Sequence, residues 1–528
     1  MSEPDAAHGR PSRRALLGAA GLAGAGLLAA GCTPVVRQVG SASGGARRGG
    51  RLVMAQMDDV DMPTLRQQNT PNTSWPRLVF NSLTAYDHRT LTPRPQLAAD
   101  WDIGDGGRTV VLRLRDDVRF HSGRPFGPRD VAENIAYQAS GEGAPGQLRS
   151  AASVVKDHGV TGRNEITLRL GHSITNFFDL AEIMMIVDHE SIPELESGKV
   201  INGTGAFTFR DYSPGVSMTF RRNPRYWRAG LPRLDEVELR IVTEPQAIVA
   251  SLQSGQTHLG VGLQPLQQRD IRADDRLRLI EADTRDVGQY IGCNVTRAPL
   301  DDKRVRQAIA WSVDRRKVRD MAMSGVGTTS CLPWAPTSPG YDERAAGHYH
   351  QDLPRARRLV EEAGARGAHL ELTIRGNDSG GYRSIAEIVQ VGLRAIGLDA
   401  TIRPLQPAEF QQHLNTATFP GLWVAGHGFG QINPATLLGG AYPFNATKNA
   451  SNFDSAEYRA LAAKLWASNE PDATRRTVAR VNAFLLDEQF VIDLVNSSTT
   501  FAVSRSVQGI AYSMFNYLVL DGTRLAEG

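Results

Sequence analysis

Residues 109–115 set Val110, Leu112 and Leu114 against Val111, Arg113 and Arg115, a period of two that predicts a half-buried strand. The same alternation at 217–222 and 236–242 predicts two more sheet strands around the turn-rich Asn223-Pro224-Arg225-Tyr226-Trp227. Apolar runs predict further strands at 52–57, 289–295, 370–375, 398–404 and 491–503, and a packed helix and turn at 75–86. Helical spacing takes over elsewhere. Val131 and Ile135 follow Pro128 with Asp130 in the first turn; Ile248, Val249 and Leu252 fall within 245–255; Val305, Ile309 and Val313 recur every four residues from Asp301 onward. Helices are also predicted at 382–396, 455–468 and 472–489, and Gly255, Gly325 and Gly397 stand where a left-handed residue ends a helix. Strands and helices alternating through the second half predict βαβ units on a shared sheet, hence an α/β protein.

The chain has 528 residues, 41% of them hydrophobic, which is too long for a single core and predicts two or three domains. Its net charge of +3 is scattered without a dense basic block, which argues against a nucleic-acid partner. Ser12-Arg13-Arg14 precedes an apolar and glycine run over 15–30 that ends in Gly31-Cys32, the pattern of an export signal and shorter than a membrane span. The arginine pair resembles a twin-arginine signal. Ala29-Ala30-Gly31-Cys32 resembles a bacterial lipobox, which implies acylation of Cys32 and a membrane contact through lipid alone. Residues 33–50 are glycine-rich and too poor in apolar side chains to pack, so they read as a tether. That leaves Cys293 and Cys331, which in an exported chain either pair or stay as separate thiols.

Four separated segments match one known pattern. Leu97-Ala98-Ala99-Asp100-Trp101 leads to Leu112-Arg113-Leu114-Arg115-Asp116-Asp117-Val118-Arg119-Phe120-His121-Ser122-Gly123, continued by Pro125 and the Asp130-Val131 helix start. Gly203-Thr204-Gly205-Ala206-Phe207 comes with Asn223-Pro224-Arg225-Tyr226-Trp227 and Leu252-Gln253-Ser254-Gly255; Asn294-Val295-Thr296 with residues 301–308 and Val313-Asp314-Arg315; Gly392-Leu393-Arg394-Ala395-Ile396-Gly397-Leu398 closes the set. In this order they resemble the family 5 extracellular solute-binding proteins of ABC importers, the dipeptide-, oligopeptide- and nickel-binding type. Their aromatics read as core and their glycines as turns, so they mark the fold and not the ligand site.

The resemblance implies an α/β, two-lobed periplasmic-binding-protein fold of type II, cluster C-like, with an extra subdomain in the first lobe and the ligand cleft between lobes. The expected divisions are an export signal at 1–31, a lipidated tether at 32–50, lobe I from 51–82, 195–287 and 504–528, the extra subdomain at 83–194, and lobe II at 288–503. Expected partners are a small-molecule or peptide ligand and the permease subunits of an ABC importer, with the protein a monomer, needing no cofactor or metal and catalysing nothing. A surface ligand sensor on the same fold is the alternative, and an exported hydrolase the more distant one.

Three features invite other chemistry. Asn377-Asp378-Ser379-Gly380-Gly381 looks like the surroundings of a serine nucleophile but lacks an Ala-Ala-His-Cys partner segment upstream. Gly325-Val326-Gly327 lacks the Gly-Lys-Ser/Thr ending of a phosphate loop, and His348 and His350 are two apart in a polar loop without metal spacing.

The resemblance carries the ligand site to Trp423, Val424, Ala425, Gly426 and His427, with Trp423 as an aromatic wall and the strand free to pair with a peptide backbone. Asn81 and Asp58, beside Asp59, are implied on the first-lobe side, and Tyr512 and Phe515 at the rim. No Asp or Glu occurs in 428–434, where the family pattern places an acid for the ligand's amine. A buried ammonium without an anion is costly, so the expected ligand has its amine blocked, absent or met by an acid elsewhere, Asp58, Asp59 and Asp454 being the candidates.

Overall fold

A computed structural model describes residues 49–526 apart from 63–64, 67–71, 89, 141–146, 174–176, 196, 283, 285–286, 377–380, 429–433 and 469. The export signal, Cys32 and nearly all of the tether lie outside the described residues. The first lobe is built on a seven-stranded sheet in the order Leu277–Glu281, Thr500–Ser504, Leu259–Val261, Arg51–Gln56, Glu236–Ile241, Ser217–Arg222, Phe207–Ser213. Arg51–Gln56 runs parallel to both its neighbours and is buried after its first residue, which is why it reads as a continuous apolar run.

The extra subdomain carries a four-stranded antiparallel sheet, Ala98–Gly104, Thr109–Leu114, Glu165–Leu170, Val155–Gly162, with Val110, Leu112 and Leu114 turned inward as their alternation predicts. Helix Pro128–Ser140 and helix α1 (Phe177–Ile183) complete it. The expected helix at 75–86 is a single turn, Pro76–Val79, because the Val79 carbonyl accepts the Gly205 N–H at 2.7 Å instead of a further helical donor. A Cβ on Gly203 or Gly205 would stand 2.1 and 2.4 Å from the Val79 and Leu78 carbonyl oxygens, so that motif is a close backbone approach and not a free turn.

The second lobe's sheet uses β1 (Val287–Cys293), β2 (His369–Arg375), helix α2 (Tyr382–Ala395) packed over it, β3 (Leu422–His427), followed by helix α3 (Pro434–Gly440), and β4 (Val491–Ser497). With Thr328–Thr329 and Asp399–Leu405 the order is 328–329, β4, β1, β3, β2, 399–405. Helix Lys303–Ser312 stops before Val313, short of the expected run, since Asp314 accepts the Lys317 N–H and caps a separate turn.

The chain leaves the first sheet after Leu277–Glu281 and returns to it at Thr500–Ser504, and there the Ala282 N–H donates to the Thr499 carbonyl at 2.9 Å. The apolar stretch 491–503 is therefore two strands. Thr500–Ser504, placed in the second lobe by the sequence boundary at 503, pairs with Leu259–Val261 and Leu277–Glu281 in the first sheet. The lobes touch through Thr436 of α3, whose hydroxyl donates to Asp179 of α1 at 2.5 Å, and through Ser324, whose hydroxyl donates to the Pro265 carbonyl at 2.9 Å.

Candidate ligand cleft

Strand β3 pairs with β1 along its whole length, from Leu422 opposite Cys293 to His427 opposite Gly288. On its other edge it meets β2 only at Leu422 and Trp423, while β2 continues to Arg375 against Asp399–Leu405. The sheet therefore forks after Trp423. From Val424 to His427 the backbone groups turned away from β1 have no ladder partner among the described residues, and an open strand edge is a template for another extended chain.

Two different surroundings flank that edge. On the face toward α2, Gln289 of β1 lies in register with Gly426, and a Cβ at 426 would stand 3.4 Å from both amide atoms of Gln289 and 3.4 Å from the Tyr382 hydroxyl. Gln289 is 3% exposed, and its Oε1 has no hydrogen-bond partner. On the opposite face His427 folds over Gly288, where a Cβ would collide with its ring, and reaches Asp493 of β4 with Nε2 and Oδ1 at 3.8 Å. Burial holds the Asp493 carboxyl above the usual carboxylate range, with His427 pulling the other way. A lone acid in the apolar run Val491-Ile492-Asp493-Leu494-Val495 is the sequence signal for this pair, and Asp493 lies outside the residues expected at the site.

Trp423, expected as an aromatic wall, is wholly buried in this structure, stacked on Phe419 at 4.4 Å and lying over Gly292, where a Cβ would meet the indole at 2.1 Å. Val424 is core on the α2 face and Ala425 is buried on the other, so these two offer backbone only. Asn81 is spent within the first lobe, its Oδ1 accepting from Thr204 at 3.0 Å and Trp227 at 3.1 Å. Asp59 accepts from the backbone of Val60 and Gly215, both at 2.7 Å, and Asp454 pairs with Arg459. Asp58 is half-buried, with its carbonyl taken by Gln56. Tyr512 and Phe515 stand in the first-lobe core rather than at a rim.

The signature segment serves the fold. His121 bonds the Gly205 carbonyl through its ring at 3.0 Å, and burial pulls its pKa down to about 4. Asp130, Asp188 and His189 gather three potential ligand atoms within 4.8 Å, but the Arg124 guanidinium bonds both carboxylates and already supplies the cation. Cys293 and Cys331 are separate buried thiols; the Cys331 sulfur accepts the Tyr349 N–H at 3.2 Å. Of the serine decoy, 377–380 lie outside the described residues.

The middle region of the bacterial extracellular solute-binding proteins, family 5, matches residues 92–451. The chain belongs to that family. It is similar to heme-binding protein A of Haemophilus influenzae, 23% identical over 492 residues that cover 86% of this chain and 88% of that one. Di/tripeptide-binding protein 2 of Pseudomonas aeruginosa is 27% identical over 361 residues, 63% and 67% of the two chains. The oligopeptide-binding protein AppA of Bacillus subtilis, solved with a nonapeptide, superposes with a TM-score of 0.78 at 20% identity, covering 92% of this chain and all of that one. A family 5 member is an extracellular or periplasmic solute binder, with the ligand cleft between its two lobes.

Proposed function

We propose that this protein is the ligand-capturing subunit of an ABC importer, that it takes an oligopeptide-like solute along the open edge of β3, and that closure of the lobes hands the ligand to the permease. The forked sheet carries the reading. An extended ligand that adds a strand beside Val424 to His427 satisfies backbone groups that neither β1 nor β2 reaches. The similar proteins differ in what their names say they bind, heme in one and di- or tripeptides in another, and the open strand edge is what supports an extended ligand. The resemblance of Ala29-Ala30-Gly31-Cys32 to a lipobox supports a lipid anchor at Cys32.

Small-angle scattering and thermal unfolding test the capture together. A bound tripeptide is expected to reduce the radius of gyration and to stabilise the protein by about 2.7 kcal/mol at a hundredfold excess over Kd. Tight binding with no compaction would remove the closure step. The anchor has its own check, because Cys32→Ser is expected to leave a folded protein that a palmitate analogue no longer labels; retained label and membrane partitioning would refute it.

A further inference from the structure

The geometry points to Gln289 as the residue that chooses the ligand's end group, accepting a neutral amide-type group at Gly426 in preference to an ammonium. This rests on the strand-addition reading above. Gln289 sits directly across β1 and β3 from Gly426, at the stretch where the β3 edge is open. With glycine at 426 no side chain lies against the Gln289 amide from that position: a Cβ there would stand 3.4 Å from both amide atoms and from the Tyr382 hydroxyl. The Gln289 Oε1 is buried and unpartnered, and a buried acceptor left unsatisfied is unfavourable enough that native proteins nearly always meet it with a donor.

An uncharged amide offers one acceptor and one donor group, which matches a peptide –CO–NH– or a hydroxyl. It offers nothing to neutralise an ammonium, and a buried cation is tolerated only when paired. Among the described residues the acids considered for the cleft are engaged elsewhere, Asp58 excepted. Asp493 lies on the opposite face of the sheet beside His427, Asp59 holds the Gly215 N–H, and Asp454 faces Arg459.

Titration calorimetry of trialanine and N-acetyl-trialanine against the wild type, Gln289→Met and Gln289→Glu decides the matter, with thermal unfolding confirming that each variant folds. The wild type is expected to bind the acetylated peptide about tenfold more tightly. Gln289→Met, of similar length and without the amide, is expected to lose about that factor on the acetylated peptide, and Gln289→Glu to reverse the order by giving the free amine its anion. If the wild type binds both peptides and the ratio between them is the same in all three proteins, Gln289 does not choose the end group and the inference falls while strand addition stands. If the wild type binds neither peptide, the peptide reading of the cleft fails and this inference goes with it.

Discussion

Glu182 shows what a single side chain does to this protein's pH response. It is fully buried on α1 and accepts the N–H groups of Tyr86 at 2.5 Å and Met514 at 3.1 Å. Burial pushes its carboxyl from 4.5 up to about 7, against the opposing pull of the Tyr86 N–H and the Arg77 charge. The folded protein therefore keeps a proton that the unfolded chain has released. The stability this contributes is complete below about pH 4.5 and is lost as pH rises through about 7, amounting to roughly 3 kcal/mol. Urea unfolding at pH 5 and pH 8 is expected to show the wild type weakening over that interval and Glu182→Gln narrowing the difference by about that amount. An unchanged difference would mean that Glu182 is ionised in the fold at both pH values.

Elements divide sharply into those the sequence announces and those it hides. Thr109–Leu114 was legible because it buries one face and alternation follows directly from the pleat, and Glu236–Ile241 from the same alternation even though Glu238 is buried beside Val237 and Leu239. Helices 245–253 and 382–395 were legible from spacing and from Gly255 and Gly397, which take φ of 75° and 84° as helix-ending residues do. The turn at 76–79 and the break at 313–314 were not, since each depends on where one backbone or side-chain group finds its partner. The site divides the same way. The strand Leu422–His427 could be located by resemblance, yet its value lies in the edge that β2 leaves unpaired, and strand pairing between residues 372 and 422 is a long-range fact. The packing of Trp423 on Phe419 and over Gly292 was not legible either, because an aromatic side chain fits a core position and a cleft wall equally well.

At the scale of the whole molecule, the contact between Thr436 and Asp179 ties lobe closure to a proton. The Asp179 carboxyl accepts from Thr436 of the second lobe and from the Tyr86 hydroxyl at 2.7 Å, and burial raises it to about 6 although both donors oppose the rise. Other charges near it stay put or face away: Glu182 keeps its first-lobe partners, α3 contains no titratable residue, and Arg149, the one charged residue of helix Gln147–Ala152, is exposed. Parting the lobes is expected to expose the carboxyl and remove the Thr436 donor, and exposure, the larger effect, returns it toward its ordinary 3.8. Closing therefore takes up a proton between those values, so the help it gives to ligand binding is full below about pH 4 and lost as pH rises through about 6. An N-acetylated, C-amidated tripeptide has no titrating group in that range. Its affinity is expected to be about tenfold higher at pH 5 than at pH 7.5, and calorimetry at pH 5 in buffers of different ionisation enthalpy is expected to count about one proton bound per ligand. In Asp179→Asn both effects should vanish while binding at pH 7.5 persists; an equal proton count in the two proteins would place the titrating group elsewhere and leave the Thr436 contact as a plain hydrogen bond.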